Sequence, residues 1–300
     1  MKTTEKNKIG KREEIVFLVV ALAIPLIQFF IFYFLVNFNS ILLSFKSYTD
    51  TGDYVFAGIN NFKDVINDMI YETRTQDMLK NSFIMYFFTS LCMMLLTILV
   101  SYSIWKKTYF SKFFSIMLFL PSVLPSIVFV VIGRFSITTL IPEIFGDPTL
   151  GEILNPPKGF FTVIGYQCLL GFGSNMIYFL GAMSNVSSEI VESGQLEGVN
   201  AFQEFWHIVF PQVYSTMTSL LVVGIANIFT AYGLLISFYE TSAAYSVRTI
   251  GYNIFVSVYG SVNYYDYPYF AALGLIFTVV IIPIVLLLRT TLEKIGPRED

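Results

Sequence analysis

Charged side chains are scarce in this chain. Lys, Arg, Asp and Glu make up 13% of its 300 residues, whereas a soluble domain carries about 25%. This scarcity argues against a soluble two-domain enzyme, because the surface of such a protein would lack the charge that keeps it dispersed. The charges also nearly cancel, and a net charge of −3 leaves no basic field for binding nucleic acid.

Cysteine and histidine are scarcer still. The two cysteines, Cys92 and Cys168, lie in apolar runs and are expected to be small core residues, which rules out a disulfide framework or a metal cluster. Residues 171–174 superficially resemble the nucleophile turn of an intramembrane serine protease. Such an enzyme needs a histidine base in a neighbouring span, and the single histidine, His207, lies in a loop. We therefore expect no catalytic residue.

Long apolar runs without charge are what the sequence has in abundance, and 55% of its residues are apolar. About 20 apolar helical residues cross a hydrocarbon core of about 30 Å. The sequence therefore predicts an all-α integral membrane protein with a six-helix transmembrane bundle over residues 15–289. The spans are expected near 15–36, 82–105, 113–135, 160–183, 213–238 and 267–289. The first is expected to be a permanent helix rather than a signal peptide, because its apolar run is long and lacks an A-x-A-like exit.

Basic residues predict the orientation, since short cytoplasmic loops are enriched in Lys and Arg. Eleven of the 18 lie in the N-terminal segment, in the loop between spans two and three, or in the C-terminal tail. Residues 1–14 and 290–300 are therefore predicted to be cytoplasmic. The loop between spans four and five, residues 185–212, lies on the same side, yet it has four glutamates and no Lys or Arg. This acidity suggests that a basic surface of another protein meets the loop.

The pattern of this loop predicts a helix–turn–helix. Ser187 or Ser188 caps a first helix that runs to about Leu196, and Gly198 provides a turn position without a Cβ. A capping-box variant at Asn200 opens the second helix, and Pro211 either closes it or begins the next span. The second helix has an apolar stripe formed by Phe202, Phe205, Trp206, Val209 and Phe210. The stripe also suits an interfacial helix that places its aromatic side chains in lipid.

Three segments of this loop resemble the signature of ABC importer permeases, which reads Glu-Ala-Ala, two residues, Asp-Gly, nine residues, then Ile-x-Leu-Pro. They are Glu192-Ser193-Gly194, Glu197-Gly198 and Ile208-Val209-Phe210-Pro211. The spacing fits without a gap, and the substitutions are small-for-small or charge-preserving except Phe210, which is bulkier. The extra glycine at 194 weakens the first helix by about 1 kcal/mol relative to alanine, which predicts a shorter or more mobile helix.

Three further motifs follow the same order as in that family. Residues 56–62 (FAGINNF) resemble the motif that precedes span two in sugar-type permeases, residues 81–83 resemble the opening of that span, and residues 119–121 (FLP) resemble a motif in span three. The resemblance covers about residues 15–290. It is best for the first-type permease subunit of carbohydrate-uptake ABC transporters, similar to maltose, glycerol-phosphate and oligosaccharide systems.

The resemblance implies a subunit of a larger transporter in a bacterial-type cell (inner) membrane. The helix–turn–helix would dock on a cytoplasmic ATPase dimer, and a second permease subunit and an extracytoplasmic solute-binding protein would complete the assembly. This chain has no G-x-x-x-x-G-K-[ST] phosphate loop, so ATP and Mg²⁺ are expected on the ATPase and no cofactor on this chain. The implied ATPase-coupling residues are Glu192, Ser193, Gly194, Glu197, Gly198, Phe202, Trp206, Ile208, Phe210 and Pro211.

Polar side chains inside the predicted spans are candidates for the solute pathway. No Asp, Glu, Lys or His lies deep in a span, which argues against coupling to protons or sodium ions through a buried carboxylate. The uncharged candidates are Gln167, Asn175, Tyr178, Asn227 and Tyr232. Amides and phenols suit a neutral, hydroxyl-rich solute, although interhelical hydrogen bonding is another role for them. An importer for a different solute, a secondary transporter and a membrane scaffold are the alternatives.

Overall fold

The computed structural model describes residues 2–260 and 264–297, with side chains from residue 13 onward. The basic side chains within residues 2–12, and Arg298, on which the predicted orientation partly depends, lie outside the described residues. The helices are α1 (Glu13–Ser44, continuing a helical stretch from Lys2), α2 (Asn60–Tyr71), α3 (Thr73–Trp105), α4 (Ser111–Val123), α5 (Ser126–Phe145), α6 (Lys158–Met183), α7 (Ser188–Leu196), α8 (Ala201–Ala226), α9 (Gly233–Tyr239), α10 (Ile250–Phe255) and α11 (Tyr267–Ile295). Short 3₁₀ turns cover Pro148–Leu154 and Tyr245–Val247.

Six of the described helices are long and apolar enough to cross a membrane. They are α1, α3, α5, α6, α8 and α11. None of the residues in the most apolar stretch of α1 is buried, and its aromatic rings stack on one another along the helix, as in the pair Phe30 and Phe34 with centroids 5.1 Å apart. A helix with so much uncovered apolar surface needs an apolar surround, which agrees with the predicted membrane protein.

One compact unit consists of residues up to 66 together with residues 264–276. After α1 the chain forms an antiparallel hairpin of β1 (Lys46–Tyr48) and β2 (Tyr54–Phe56). The Asn61 amide in the FAGINNF motif donates hydrogen bonds to the Ser44 and Lys46 carbonyl oxygens, at 2.7 and 2.8 Å. The motif therefore joins the end of α1 to the start of α2.

The hairpin also carries a tyrosine contact within this unit. Tyr48 packs against Tyr265 with ring centroids 5.0 Å apart, and the Tyr265 hydroxyl donates to Asp50 Oδ1 at 3.0 Å. This hydrogen bond to a carboxylate raises the pKa of the Tyr265 phenol, because ionising the phenol would break it.

The second unit, residues 67–260 and 277–297, has two clusters of buried side chains. Core one lies among α3, α5, α6, α9 and α10, and its fully buried members include Val130, Val163, Leu235 and Tyr252. Core two lies among α3, α6 and α8 and consists of Met94, Ile98, Phe179, Met183, Phe205, Val209, Val213 and Met217. Asn81 fastens the loop after α9 to this unit, because its amide donates to the carbonyl oxygens of Ser246 and Arg248, both at 3.0 Å.

The expected third span, a single helix over 113–135, is wrong. The chain breaks between α4 and α5, because Leu124 is extended (ψ 142°) before Pro125, and a residue before proline is driven out of the helical region. The helix of membrane length, α5, begins after this break and reaches Phe145. Arg134 therefore lies near the middle of α5 rather than at the end of a span, and its Nη1 lies 3.9 Å from Glu240 Oε1.

The expected fifth span, a single helix over 213–238, is also wrong at both ends. The α8 helix begins at Ala201 and runs without a break past Pro211. Its turn over Phe205–Val209, just before this proline, is a wider π-helical one. Proline lacks the N–H of a helical hydrogen bond, and an irregular turn accommodates that loss. The helix then ends at Ala226. Residues 227–231 form a turn, in which the Ala231 N–H donates a hydrogen bond to the Asn227 carbonyl oxygen at 3.0 Å. The next helix, α9, starts only at Gly233.

Candidate functional site

The loop between α6 and α8 forms two helices joined by a tight turn. The predicted first helix is α7, Ser188–Leu196, and it is not shortened by Gly194. Gly198 has a φ of +83°, and two hydrogen bonds of 3.1 Å close the turn, from Gly198 N to Gln195 O and from Val199 N to Gly194 O. This pair of bonds is the Schellman motif, which needs a left-handed residue after the helix. The turn predicted at Gly198 is therefore present.

The start of α8 shows the predicted capping box. Asn200 Oδ1 accepts from Gln203 N at 2.9 Å, and Gln203 Oε1 accepts from Asn200 N at 3.0 Å. These reciprocal bonds satisfy two backbone donors that a helix start leaves free. Ser187 precedes α7 at the N-cap position, but its side chain makes no capping hydrogen bond.

Gly194 lies where the two helices of the loop meet. A Cβ built on Gly194 would lie 2.8 Å from Ile208 Cδ1 and 3.9 Å from Val199 Cγ2. A glycine here therefore lets Ile208 of α8 approach the backbone of α7. Gly194, which replaces an alanine of the signature, therefore lies at a close contact between α7 and α8.

The aromatic stripe of α8 divides into two faces. Phe205 and Val209 are buried in core two. Phe202 and Trp206 are 74% and 51% exposed, and Trp206 stacks on Phe210 with ring centroids 4.6 Å apart. The single stripe expected from the sequence therefore both anchors the loop to the bundle and leaves an exposed aromatic edge.

The glutamates of the loop also fall into two groups. Glu192 and Glu197 are exposed and form no ion pair in the described part of the chain. Glu204 is only 2% exposed, and its Oε1 lies 2.8 Å from Lys106 Nζ. No local sequence pattern predicts this pair, because Lys106 lies 98 positions earlier.

A groove of about 420 Å³ lies beside the turn. Glu197, Gly198, Val199, Gln203, His207 and Ile208 line it. Aromatic side chains are enriched where proteins bind one another, and charged groups around such a surface orient the partner. The lining of the groove includes three of the residues predicted for ATPase coupling, Glu197, Gly198 and Ile208.

Two of the five predicted pathway residues share one cavity. Gln167 of α6 and Asn227, at the end of α8, line a space of about 170 Å³ with several side chains that carry a hydroxyl. Those are Ser82, Tyr86, Thr89 and Ser90 of α3. Gln167 Oε1 is buried and has no hydrogen-bond partner among the described residues. The rest of the lining is apolar and consists of Met85, Gly224, Ile228 and Ala231. Among the described residues, the cavity therefore has hydroxyls and amides beside apolar surface, and no carboxylate or amine.

The other three candidates do not line this cavity. Tyr178 is 56% exposed on α6, and Asn175 is half-buried one turn before it. Tyr232 is 43% exposed and stacks on Phe255, with ring centroids 4.4 Å apart. Asn175 and Tyr178 lie three positions apart in α6, a spacing that places two residues near one side of a helix. It carried no information about which side faces the cavity.

The six membrane-length helices define a multi-pass membrane protein. Residues 95–298 match the model of the family described as "Binding-protein-dependent transport system inner membrane component". This match covers more than half of the chain and includes the whole loop between α6 and α8, and the chain belongs to that family.

Curated relatives align over most of the chain at low identity. The arabinooligosaccharides transport system permease protein AraP of Bacillus subtilis is 23% identical over 88% of this chain and 84% of its own length. The multiple sugar-binding transport system permease protein MsmF of Streptococcus mutans is 24% identical over 91% of this chain and 93% of its own length. A chain of a bacterial alginate ABC transporter, solved with an alginate pentasaccharide-bound periplasmic protein, superposes with a TM-score of 0.77. At 19% identity, covering 96% of this chain and 99% of that one, it shows the shared fold.

Proposed function

We propose that this chain is the permease subunit of an ATP-driven importer that carries a sugar or oligosaccharide into the cytoplasm. The observation that carries the proposal is the helix–turn–helix of residues 188–210, with its Schellman turn at Gly198 and its exposed Glu192 and Glu197. An exposed, rigid and acidic element suits docking on a partner that supplies energy, because complementary charge orients the two surfaces.

The partner that hydrolyses ATP is a separate cytoplasmic ATPase dimer. Nucleotide chemistry belongs there, since this chain contains no phosphate-loop motif. The loop then lies on the cytoplasmic side, together with both chain termini. A solute-binding protein delivers the solute on the opposite side, and a second permease subunit completes the membrane pathway.

A neutral hydroxylated solute fits the chemistry of the membrane interior. The cavity at Gln167 and Asn227 offers amides and hydroxyls, which both donate and accept hydrogen bonds without a fixed charge. The names of the relatives, which refer to arabinooligosaccharides and to multiple sugars, support the same class of solute.

Native purification and solute uptake test the proposal together. A tagged chain, purified from its native membrane, is expected to bring with it an ATPase and a second permease subunit. Cells that lack the chain are expected to lose uptake of one labelled solute from a panel of oligosaccharides, monosaccharides and glycerol phosphate, and to regain it on complementation. Purification without an ATPase, or undiminished uptake of every solute, would overturn the assignment.

A further inference from the structure

The buried carboxylate of Glu204 is the centre of a hydrogen-bond network whose other members are half-buried or exposed. Lys106 Nζ lies 2.8 Å from Oε1 and 2.9 Å from Oε2. The Tyr102 hydroxyl donates to Oε1 at 3.1 Å, and Gln195 Nε2 donates to Oε2 at 3.2 Å. The Glu204 side chain is 3% exposed, whereas that of Lys106 is 27% exposed.

These four side chains come from three separate segments. Tyr102 lies in the last turn of α3 and Lys106 follows its end, Gln195 lies in α7, and Glu204 lies in the first turn of α8. The Tyr102 hydroxyl also contacts the carbonyl oxygen of Ala201 at 3.0 Å. One carboxylate therefore fastens both helices of the loop to the end of a membrane span.

Apolar packing already holds the same region together. The ring of Tyr102 lies 5.1 Å from that of Phe205, and Phe205 and Val209 pack with Met94 and Ile98 of α3 in core two. Replacing a buried ion pair by apolar side chains of similar volume often costs a protein no stability. Packing would therefore suffice for adhesion, and the network fixes a particular geometry in addition.

We propose that Glu204, Lys106, Tyr102 and Gln195 form a joint that makes the loop and the end of α3 move as one body. The inference rests on the proposed function, in which closure of the ATPase displaces the loop. Directional hydrogen bonds from three segments resist sliding and rotation, whereas apolar contacts permit both. The joint then passes the displacement of the loop to α3, whose Ser82, Tyr86, Thr89 and Ser90 line the cavity that Gln167 and Asn227 share.

The test uses the complete transporter, reconstituted in vesicles with its partner chains, and measures solute molecules taken up per ATP hydrolysed. Lys106→Met combined with Glu204→Met removes both charges without leaving one unpaired. We expect this double variant to bind the ATPase as the parent does and to hydrolyse ATP, while its solute-to-ATP ratio falls at least about fivefold. Lys106→Arg keeps the pair and should keep the ratio.

Two further variants make the test decisive. Tyr102→Phe removes one hydroxyl and keeps the ring against Phe205. We therefore expect it to fold even where the double variant does not, and its ratio should fall about twofold. Lys107→Met removes the exposed neighbouring charge and should leave the ratio unchanged. A parental ratio in either the double variant or Tyr102→Phe would show that the network only stabilises the protein. A parent complex without any ATP-dependent uptake would instead refute the proposed function.

Discussion

The turn at Gly198 permits a prediction whose size follows from one dihedral angle. Gly198 has a φ of +83°, and a Cβ at this position would meet no atom within 4 Å. The cost of Gly198→Ala is therefore purely conformational, about 1–2 kcal/mol for a residue with a Cβ in the left-handed region. That energy corresponds to an increase of about 5–30-fold in the population of the opened turn.

Amide hydrogen exchange at Val199 measures this opening, because its N–H bonds Gly194 O in the closed turn. We expect its exchange to accelerate by about the same 5–30-fold in Gly198→Ala. Gly165→Ala is the matched control, since Gly165 lies inside α6 with no atom within 4 Å of a Cβ and no positive φ. It should stabilise its helix by about 0.5–1 kcal/mol. Unchanged exchange at Val199, or equal acceleration in both variants, would show that the left-handed conformation of Gly198 does not determine the stability of the turn.

Three further predictions concern the loop and the cavity. Replacing both Glu192 and Glu197 by Lys should reduce the amount of ATPase recovered with the tagged chain by about tenfold or more. The amount of the chain in the membrane fraction should stay the same. Undiminished recovery of the ATPase would exclude these carboxylates from docking. Gly194→Ala should leave the hydrogen-exchange protection of α7 within about 1 kcal/mol of the parent, because the gain in helix propensity offsets crowding against the flexible end of Ile208. Gly194→Phe, in contrast, should open the loop. Equal protection in the two variants would show that the close approach of Ile208 to Gly194 does not matter. Gln167→Leu should not lower the unfolding temperature, since it removes a buried amide oxygen whose burial without a partner costs about 1–3 kcal/mol. The same variant should nevertheless reduce solute uptake, because Gln167 lines the cavity. Asn175→Leu, outside the cavity, should reduce uptake less.

Local signals in the sequence predicted the local features of the loop. The turn needed a residue without a Cβ at Gly198, and the pair Asn200 and Gln203 had the spacing of a capping box. Both features depend only on residues a few positions apart, so a sequence is sufficient to find them. The identity and approximate position of spans one, two, four and six could be predicted for the same reason, because a continuous apolar run is itself the signal.

Features that depend on distant residues could not be predicted in this way. Nothing local links Glu204 to Lys106, and the acidity of the loop was attributed entirely to an external partner. The break at Pro125 was readable in principle, since the residue before a proline avoids the helix, but prolines inside membrane helices are often tolerated. Which side of α6 faces the cavity depends on packing, and Tyr178 was therefore grouped with Gln167 although it is exposed.

The most direct test of the account is ATP-driven transport by the purified assembly. Vesicles would contain the complete transporter, with ATP and Mg²⁺ on the side of the loop and the solute-binding protein with labelled oligosaccharide on the other. We expect solute accumulation with ATP, none with ADP, and loss of accumulation in Gly198→Pro while the chain remains in the membrane. Accumulation that is independent of ATP, or that persists unchanged in Gly198→Pro, would contradict the claim that this loop couples the chain to its source of energy.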